Sequence, residues 1–418
     1  MRSLLKFLRL QPAAKAVLTA SAAAEARPTS GLLVVEYTAR AAEPLAATLQ
    51  VQVEGVDGPP LHRDLALTPE TQAGWVALHG HLLPNGPVRV LLELRDAHGA
   101  LVAEKALTLQ VRNEGEVAEL VAGSLRSRGT PVLLEGLFDA SLYDYADPRM
   151  TAWFDREPEA AEAHIAGLLE RREIDAGEAA ALRHFVENGF LTLDGAVAPE
   201  HLERLVAALD DAVDKRVEGY EWGASQRIHN LHLRYPAIRE LWLHPKVLRM
   251  LGLIFGERAN PCQSLSYVFG SEQQYHQDTI HLTPFPAGRM CGVWTALEDV
   301  QPDSGELVVF PGSHRLPRVY MQASGAAKVV DEDWAEFGEK VVPIWTEMLE
   351  AGKFKREIYR PKAGAILIWH ENLMHAGSPR RDREKSRRSI VGHYFADGAV
   401  VYYDSSGMPG VTHQGEAA

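Results

Sequence analysis

The chain has 418 residues, a formal net charge of −13, and near-average shares of hydrophobic (46%) and charged (24%) residues. This composition excludes a fibrous or largely disordered protein, and the length indicates more than one domain. An acidic chain is poorly suited to bind a phosphate backbone, so nucleic acid is not an expected partner. Cys262 and Cys291 are its two cysteines, which excludes a disulfide framework and a cysteine-rich zinc site and favours a cytoplasmic location.

The N-terminal part is predicted to be a leader followed by a small β domain. Residues 1–30 contain no clean hydrophobic region of signal-peptide length, so a frayed or helical leader is expected. Residues 31–112 contain short alternating segments such as "TLQVQVEGV", separated by turn sequences such as "PNGP". This pattern indicates a small, Ig-like β-sandwich. No run of the chain approaches the roughly 18 apolar residues of a membrane span.

The middle of the chain is predicted to be helical. Residues 113–176 are expected to form a helical linker that includes "EPEAAEAHIAGLLERREID". Further helices are expected from "DAGEAAALRHFVENGF", "APEHLERLVAALDDAVDKRV" and "HPKVLRMLGLIFG", whose apolar residues recur at helical spacing. Strand-like segments dominate after Asn260. The expected second domain spans 177–405, with a polar insertion at 318–360 and a tail at 406–418.

The stretch "YHQDTIHLTPF" carries the strongest sign of chemistry. His276 and Asp278 are two residues apart, so on a strand both side chains point to the same face. Two histidines and one carboxylate on one side of an iron ion are typical of non-haem Fe(II) oxygenases. The pair alone is weak evidence, because His62 and Asp64 repeat it in the N-terminal domain, where solvated surface is expected.

Several further motifs follow in order: "VWTALEDVQPDSGELVVFPGSHR", "PKAGAILIWHENLMHAGS" and "RRSIVGHYF". Together with the helices before them, they resemble the phytanoyl-CoA dioxygenase family of Fe(II)- and 2-oxoglutarate-dependent oxygenases. The resemblance covers roughly residues 178–397 and leaves out the N-terminal sandwich. It implies a mainly β fold for the C-terminal domain, a double-stranded β-helix or jelly roll with flanking helices.

The resemblance also implies the metal ligands. His276, Asp278 and His375 match the three iron ligands of the family. His370, five residues before His375, is the competing histidine and is expected to be a partly buried strand residue. In halogenating relatives a small residue replaces the carboxylate, so Asp278 favours hydroxylation or another oxidative step.

Four further residues are implied as contacts of 2-oxoglutarate. Arg387 is expected to hold the distal carboxylate, because a planar guanidinium can bind a carboxylate through two hydrogen bonds, whereas Arg388 would point to the opposite face. Trp294 and Gln263 match positions that often contact the cosubstrate, with plain core as the alternative for Trp294. Ser378 stands one residue beyond the usual family hydroxyl.

The implied activity is hydroxylation of an unactivated C–H of a small-molecule or carrier-linked substrate, with O2 consumed and succinate and CO2 released. His281, Arg227 and Asn230 are candidate substrate contacts, each with ordinary surface as the alternative. The insertion at 318–360 is a candidate lid. The sandwich could mediate partner binding or self-association. The alternative function is a metal-binding jelly-roll module without activity.

Overall fold

A computed structural model describes residues 15–413. They form two compact units. The N-terminal unit comprises residues up to 113 together with 130–135, and the C-terminal unit comprises 114–129 together with the residues from 136 onward. Within the described residues, no helix has the length and apolar character needed to cross a bilayer.

The N-terminal unit is built from antiparallel strands in two four-stranded sheets. The strands are β1 (Ala16–Ser21), β2 (Leu32–Ala41), β3 (Leu45–Val53), β4 (Leu61–Leu67), β5 (Gln72–His79), β6 (Gly86–Asp96), β7 (Leu101–Val111) and β8 (Leu133–Leu134). The sheet orders are β1-β2-β5-β8 and β4-β3-β6-β7. Leu49, Val51 and Val53 alternate on β3 and are buried, and side chains of both sheets share one hydrophobic cluster. His62 and Asp64 are exposed on β4.

The expected leader is wrong over its described part. Residues 16–21 form β1, which pairs antiparallel with β2, and Ala16 and Leu18 are buried while Val17 between them is exposed. Six residues rich in alanine carry too little alternation to indicate a strand before a partner strand is known. The rest of the predicted leader, residues 1–14, lies outside the described residues, as does the tail from 414.

Helices and strands alternate irregularly in the C-terminal unit. Its helices are α1 (Glu116–Ser127), α2 (Pro158–Glu170), α3 (Ala176–Asn188), α4 (Pro199–Asp214), α5 (Pro236–Trp242), α6 (Pro245–Phe255), α7 (Met321–Ser324), α8 (Ala335–Lys340) and α9 (Val342–Gly352). Its strands are β9 (Phe190–Leu193), β10 (Ile228–His229), β11 (Ala259–Tyr267), β12 (Thr283–Phe285), β13 (Met290–Ala296), β14 (Leu307–Val309), β15 (Glu357–Tyr359), β16 (Ile366–His370), β17 (His375–Gly377), β18 (Ser389–Ala396), β19 (Val400–Tyr403) and β20 (Met408–Pro409).

Three antiparallel sheets organise this unit. The largest has the order β10-β11-β18-β13-β16-β9, and the smaller ones have the orders β15-β14-β17 and β12-β19-β20. One hydrophobic cluster joins Trp294, Leu367 and Val391 of the large sheet to Leu307 and Val309 of β14. The two sheets therefore face each other across a shared core, and this core lies beside the site described below.

The predicted helices coincide with α2, α3, α4 and α6. At the start of α3, the Asp175 carboxylate accepts from the Glu178 N–H and the Glu178 carboxylate accepts from the Asp175 N–H, which satisfies two otherwise unpaired donors. Gly189 and Gly256 follow α3 and α6 in the left-handed conformation, with φ of 79° and 70°. These helices were predicted from the helical spacing of their apolar residues, and the caps mark where two of them begin or end.

The prediction of a helical linker at 113–176 is wrong in part. The segment contains α1 and α2, but residues 130–135 belong to the N-terminal unit and most of the rest is integrated into the C-terminal unit. Val121, Leu125 and Phe154 are buried there. The expected tail is likewise wrong at its start, since β20 pairs with β19. Packing of short segments against distant strands cannot be read from their own composition.

Candidate metal centre

His276 and His375 lie side by side on two adjacent backbone segments. The His276 N–H donates to the His375 carbonyl at 3.1 Å, and the His375 N–H donates to the His276 carbonyl at 3.2 Å. The two imidazole centroids are 4.2 Å apart. This isolated bridge, rather than the regular strand expected around His276, brings the side chains together. Asp278 begins a short 3₁₀ turn over Asp278–Ile280 and points its carboxylate at both rings.

Each of the two histidines offers the same nitrogen to this cluster. The Nδ1–H of His276 donates to the Gln274 carbonyl at 2.7 Å, and that of His375 donates to the Leu373 carbonyl at 2.9 Å. A carbonyl can only accept, so the proton is assigned to Nδ1 and Nε2 keeps its lone pair. Both Nε2 atoms face Asp278 Oδ1, at 3.5 Å and 3.7 Å. Such a hydrogen bond is how proteins orient metal-binding histidines.

The three ligand atoms could hold a metal ion. One atom each of His276, Asp278 and His375 lies within 4.8 Å of the other two, and all three side chains are buried. Burial opposes ionisation of Asp278, but the nearby imidazoles, His375 foremost, hold the pKa of its carboxyl well below its usual range. Burial lowers the pKa of His375 to about 4, with a smaller contribution from His276. A charged carboxylate and a neutral imidazole are the forms that bind a metal.

Two residues that the sequence did not single out hold the other oxygen of Asp278. The indole N–H of Trp369 donates to Oδ2 at 2.8 Å. His393 Nε2 lies 3.7 Å from the same oxygen, and the Gln263 side-chain amide contacts its Nδ1 at 3.2 Å. His393 follows Arg387 by six residues, and residues an even number apart on a strand share a face, so this spacing was the available signal. Trp369 carried no such signal.

The two residues that contact Asp278 Oδ2 lie in one row across the large sheet, together with Gln263 and Gly292. Gln263 pairs with His393, His393 with Gly292, and Gly292 with Trp369, across β11, β18, β13 and β16. A side chain at Gly292 would overlap the Trp369 ring. The glycine therefore leaves the space in which the indole reaches Asp278.

A cavity of about 770 Å³ opens over this cluster. Arg387 and Trp294 form part of its wall, with the guanidinium carbon 5.6 Å from the indole centroid. Arg387 donates to the Gly305 carbonyl at 3.0 Å, while its Nε–H and the Trp294 indole N–H are buried without an acceptor in the part of the chain that is described. Burial lowers the pKa of Arg387 to about 10, so it remains charged at neutral pH.

The other predicted cosubstrate contacts divide between two places. Gln263 lines the cavity, where its amide also contacts His393. Ser378 does not line it: its backbone N–H donates to the Glu306 carbonyl, and its hydroxyl lies beside Arg356. The structure therefore contradicts the interpretation of Ser378 as a contact in this cavity: Gly377, the last residue of β17, still lines the cavity, but Ser378 after it does not.

The predicted substrate residues are also divided. His281 and Arg227 line the cavity, whereas Asn230 lies outside it on the exposed surface. Asn230 has a positive φ of 51°, and its side-chain oxygen accepts from the Ser264 N–H at 3.4 Å. Its role is therefore a local turn beside β11. His281 is surrounded by rings, with Phe337 at 5.2 Å and Trp334 at 5.7 Å between centroids.

His370 and Arg388, the alternatives to His375 and Arg387, do not line the cavity. His370 is buried outside the cavity, with Nε2 3.3 Å from Asp155, and its Nδ1 accepts from the Asn372 N–H. Arg388 forms an ion pair with Asp210 at 2.9 Å. His375 and Arg387, by contrast, both line the cavity.

Comparison with known families agrees with this geometry. Residues 185–389 match the family described as phytanoyl-CoA dioxygenase. The stretch 185–389 is the part of the C-terminal unit that carries the phytanoyl-CoA dioxygenase family pattern. The family resemblance seen in the sequence is thereby confirmed, and the match together with the His-Asp-His group supports the prediction of iron and 2-oxoglutarate.

Several curated relatives are similar over part of the chain. Phytanoyl-CoA dioxygenase domain-containing protein 1 of Mus musculus is 38% identical over 188 residues, which cover 42% of this chain and 58% of that protein. Its counterpart in Danio rerio is 39% identical over 93 residues, which cover 21% of this chain and 31% of that protein. Peroxisomal phytanoyl-CoA dioxygenase of Bos taurus is 23% identical over 252 residues, covering 54% of this chain and 70% of that protein.

Two solved structures align with part of the chain. The non-heme alpha ketoglutarate dependent carbocyclase SnoK from nogalamycin biosynthesis aligns with a TM-score of 0.47 and 20% identity, covering 59% of this chain and 95% of that one. EctD from S. alaskensis, with 2-oxoglutarate and 5-hydroxyectoine, aligns with a TM-score of 0.40 and 17% identity, covering 56% and 80%.

Proposed function

We propose that the chain is an Fe(II)- and 2-oxoglutarate-dependent dioxygenase. It hydroxylates an unactivated C–H of a small-molecule or carrier-linked substrate and releases succinate and CO2. The metal, with O2 and 2-oxoglutarate, supplies the oxidising chemistry when bound. The double-stranded β-helix expected from the sequence is the proposed scaffold, with the large sheet and the β15-β14-β17 sheet as its two faces.

His276, Asp278 and His375 are the proposed iron ligands. They supply two nitrogens and one oxygen from one side, which leaves the cavity side open for other ligands, as in a 2-His-1-carboxylate site. Hydrogen bonds to the Gln274 and Leu373 carbonyls fix the two imidazoles, so little rearrangement is needed on binding. The donor set suits Fe(II) better than a structural zinc site, which is closed by four protein ligands.

The observation that carries the proposal is the unpaired guanidinium of Arg387 in the same cavity. Burying a cation without a carboxylate partner is unfavourable unless a ligand supplies the anion. Within residues 15–413 no carboxylate lies within ion-pair distance of Arg387, and the nearby Trp294 N–H also lacks an acceptor. A dicarboxylate that reaches from the metal to Arg387 satisfies both donors. 2-Oxoglutarate has that chemistry.

The test is anaerobic absorption spectroscopy of the purified protein with Fe(II), with and without 2-oxoglutarate. A weak visible charge-transfer band that requires 2-oxoglutarate is expected. His375→Ala removes one ligand, so the band should disappear. Arg387→Ala should raise the dissociation constant for 2-oxoglutarate about tenfold or more, since a charge-assisted interaction contributes about 1.5–3 kcal/mol.

Arg388→Ala is the matched control, because Arg388 is the adjacent arginine and pairs with Asp210 outside the cavity. It should bind 2-oxoglutarate as the unchanged protein does. Iron retained without any 2-oxoglutarate-dependent band would instead favour a metal-binding module without oxygenase activity. Association through the N-terminal sandwich and a cytoplasmic location remain predictions from the sequence.

A further inference from the structure

The outer part of the cavity contains a second arginine that the metal centre does not use. Arg227 directly precedes β10, the edge strand beside β11. Ile228 is fully buried, so alternation along the strand directs Arg227 and His229 to the opposite side, and both line the cavity. Arg227 thus reaches the same space as the metal cluster from the edge of the large sheet.

Arg227 has no anionic partner in the described part of the chain. The Glu218 carboxylate instead contacts the neighbouring His229, at 3.0 Å from the imidazole Nδ1 and 2.9 Å from the backbone nitrogen. Glu332 also lines the cavity but makes no ion pair with Arg227. A bound metal ion would neutralise the charge of Asp278, and a bound cosubstrate would neutralise the charge of Arg387. Arg227 would then be the cavity's remaining arginine without an anionic partner.

The wall formed by the insertion is aromatic. Trp334, Phe337 and Trp345 line the cavity, with centroid separations of 5.2 Å between Trp334 and Phe337 and 5.7 Å between Phe337 and Trp345. Trp334 is 45% exposed, so part of its ring remains accessible to a ligand in the cavity. Aromatic faces of this kind pack against flat apolar groups.

We infer that this cavity takes a substrate with a flat, apolar body and an anionic group, the anion bound by Arg227 and the body packed on Trp334, Phe337 and Trp345. The anion is a carboxylate or a phosphate monoester, since both accept two parallel hydrogen bonds from a guanidinium. His281 lies among the same rings and supplies a neutral hydrogen-bonding group beside them. This inference rests on the proposed function in one respect: it takes 2-oxoglutarate to be the anion that occupies Arg387.

The test uses 2-naphthoate and 1-naphthyl phosphate as anionic probes and 2-naphthamide as the neutral probe. Binding to the full-length, Zn(II)-loaded protein is measured by titration calorimetry, both with and without saturating 2-oxoglutarate. At least one anionic probe should bind about tenfold or more tightly than the amide. The two anions distinguish a carboxylate site from a phosphate site.

Two variants separate the two arginines. Arg227→Gln should abolish the preference for the anionic probe and leave 2-oxoglutarate binding unchanged, while Arg387→Gln should weaken 2-oxoglutarate and leave the probe preference intact. Arg227→Lys should keep part of the preference because it keeps the charge. Arg234→Gln, an exposed arginine outside the cavity, is the matched control and should change neither affinity.

The outcomes are distinct for the two proposals. Equal binding of the amide and both anions, or a preference that survives Arg227→Gln, overturns the substrate inference while leaving the oxygenase proposal standing. A probe preference lost in Arg227→Gln supports the inference even when 2-oxoglutarate does not bind. A preference lost only in Arg387→Gln shows that the probe occupies the cosubstrate position and overturns the inference.

Discussion

Asp278 differs from the two histidines in how its orientation is fixed. Its Oδ2 accepts from the Trp369 indole at 2.8 Å and lies 3.7 Å from His393, while Oδ1 faces the two imidazoles. A carboxylate can rotate and exchange its oxygens, so a donor on one oxygen selects the other as the metal ligand. The sheet register that aligns Trp369 and His393 around Gly292 therefore determines which oxygen meets the metal.

Trp369→Phe tests this role, because it keeps an aromatic ring and removes the N–H. Affinity for Co(II), followed by its visible absorption, should fall about tenfold or more, in the range known for the loss of a hydrogen bond to a metal ligand. Trp153→Phe is the matched control, since its buried indole donates to the Ile254 carbonyl at 2.8 Å, away from the cavity. Equal Co(II) affinity of the two variants would contradict the assignment.

Some residues of the candidate site could be predicted from the sequence, and others could not. His276, Asp278, His375 and Arg387 stand in motifs with fixed order, so a resemblance could nominate them. Trp369 could not be nominated, because its contact depends on which strands become neighbours and in what register. Ser378 was misassigned for a similar reason: one residue of displacement after a strand turns a side chain away from the cavity.

Among the elements, the insertion at 318–360 is better packed than a simple lid. Phe337, Val341 and Trp345 are buried in a cluster with Ile280 and Met374. The Trp345 indole N–H donates to the Gln277 side-chain oxygen at 3.0 Å. Gln277 stands in the sequence between the proposed ligands His276 and Asp278. The loosely packed part is residues 330–334, where Val330 is 60% exposed. The lid hypothesis therefore narrows to those five residues.

Hydrogen exchange can test this narrower lid. Amides of 330–334 should exchange within seconds, because that part of the chain is not in a helix or strand. The central amides of α9 should exchange at least about 100-fold more slowly. Zn(II), 2-oxoglutarate and 2-naphthoate together should slow exchange in 330–334 and leave α9 unchanged. Exchange in 330–334 that does not respond, or a uniform change across the insertion, would rule out this segment as the lid.

The elements themselves were predictable where local signals are strong. The capping box at Asp175 and the left-handed Gly256 mark helix ends that need no tertiary contact. β1 and β20 lack such signals, and each is a strand only because a neighbouring strand pairs with it. The buried apolar residues of α1 gave no sign that this helix packs within the C-terminal unit.

At the scale of the whole molecule, each unit has a hydrophobic cluster of its own. The cluster shared by the two N-terminal sheets contains no residue of the C-terminal unit, and the clusters around the metal site contain none of the N-terminal unit. The change from alternating strands to helices near residue 113 was visible in the sequence. The return of 130–135 to the N-terminal sheet was not, because β8 has only two residues.

The N-terminal unit contains a buried histidine that should make its stability depend on pH. His79 is fully buried on β5, its Nδ1–H donates to the Pro131 carbonyl at 3.1 Å, and burial lowers its pKa from 6.5 to about 4. The unfolded chain therefore binds a proton between pH 6.5 and 4 that the folded unit does not. The free energy of unfolding should fall as the pH drops through this window, by up to about 3 kcal/mol.

Urea unfolding of the full-length protein, labelled with 5-fluorotryptophan, provides the measurement. Trp75 is the one tryptophan of the N-terminal unit, and its ¹⁹F resonance, assigned with Trp75→Phe, follows that unit alone. His79→Gln keeps a donor for the Pro131 carbonyl but cannot titrate, so its stability should fall less between pH 6.5 and 4 than that of the unchanged protein. The difference between the two slopes isolates His79 from the carboxylates that also titrate near pH 4. Identical slopes would mean that the pKa of His79 is the same in the folded and the unfolded protein, and would contradict the prediction.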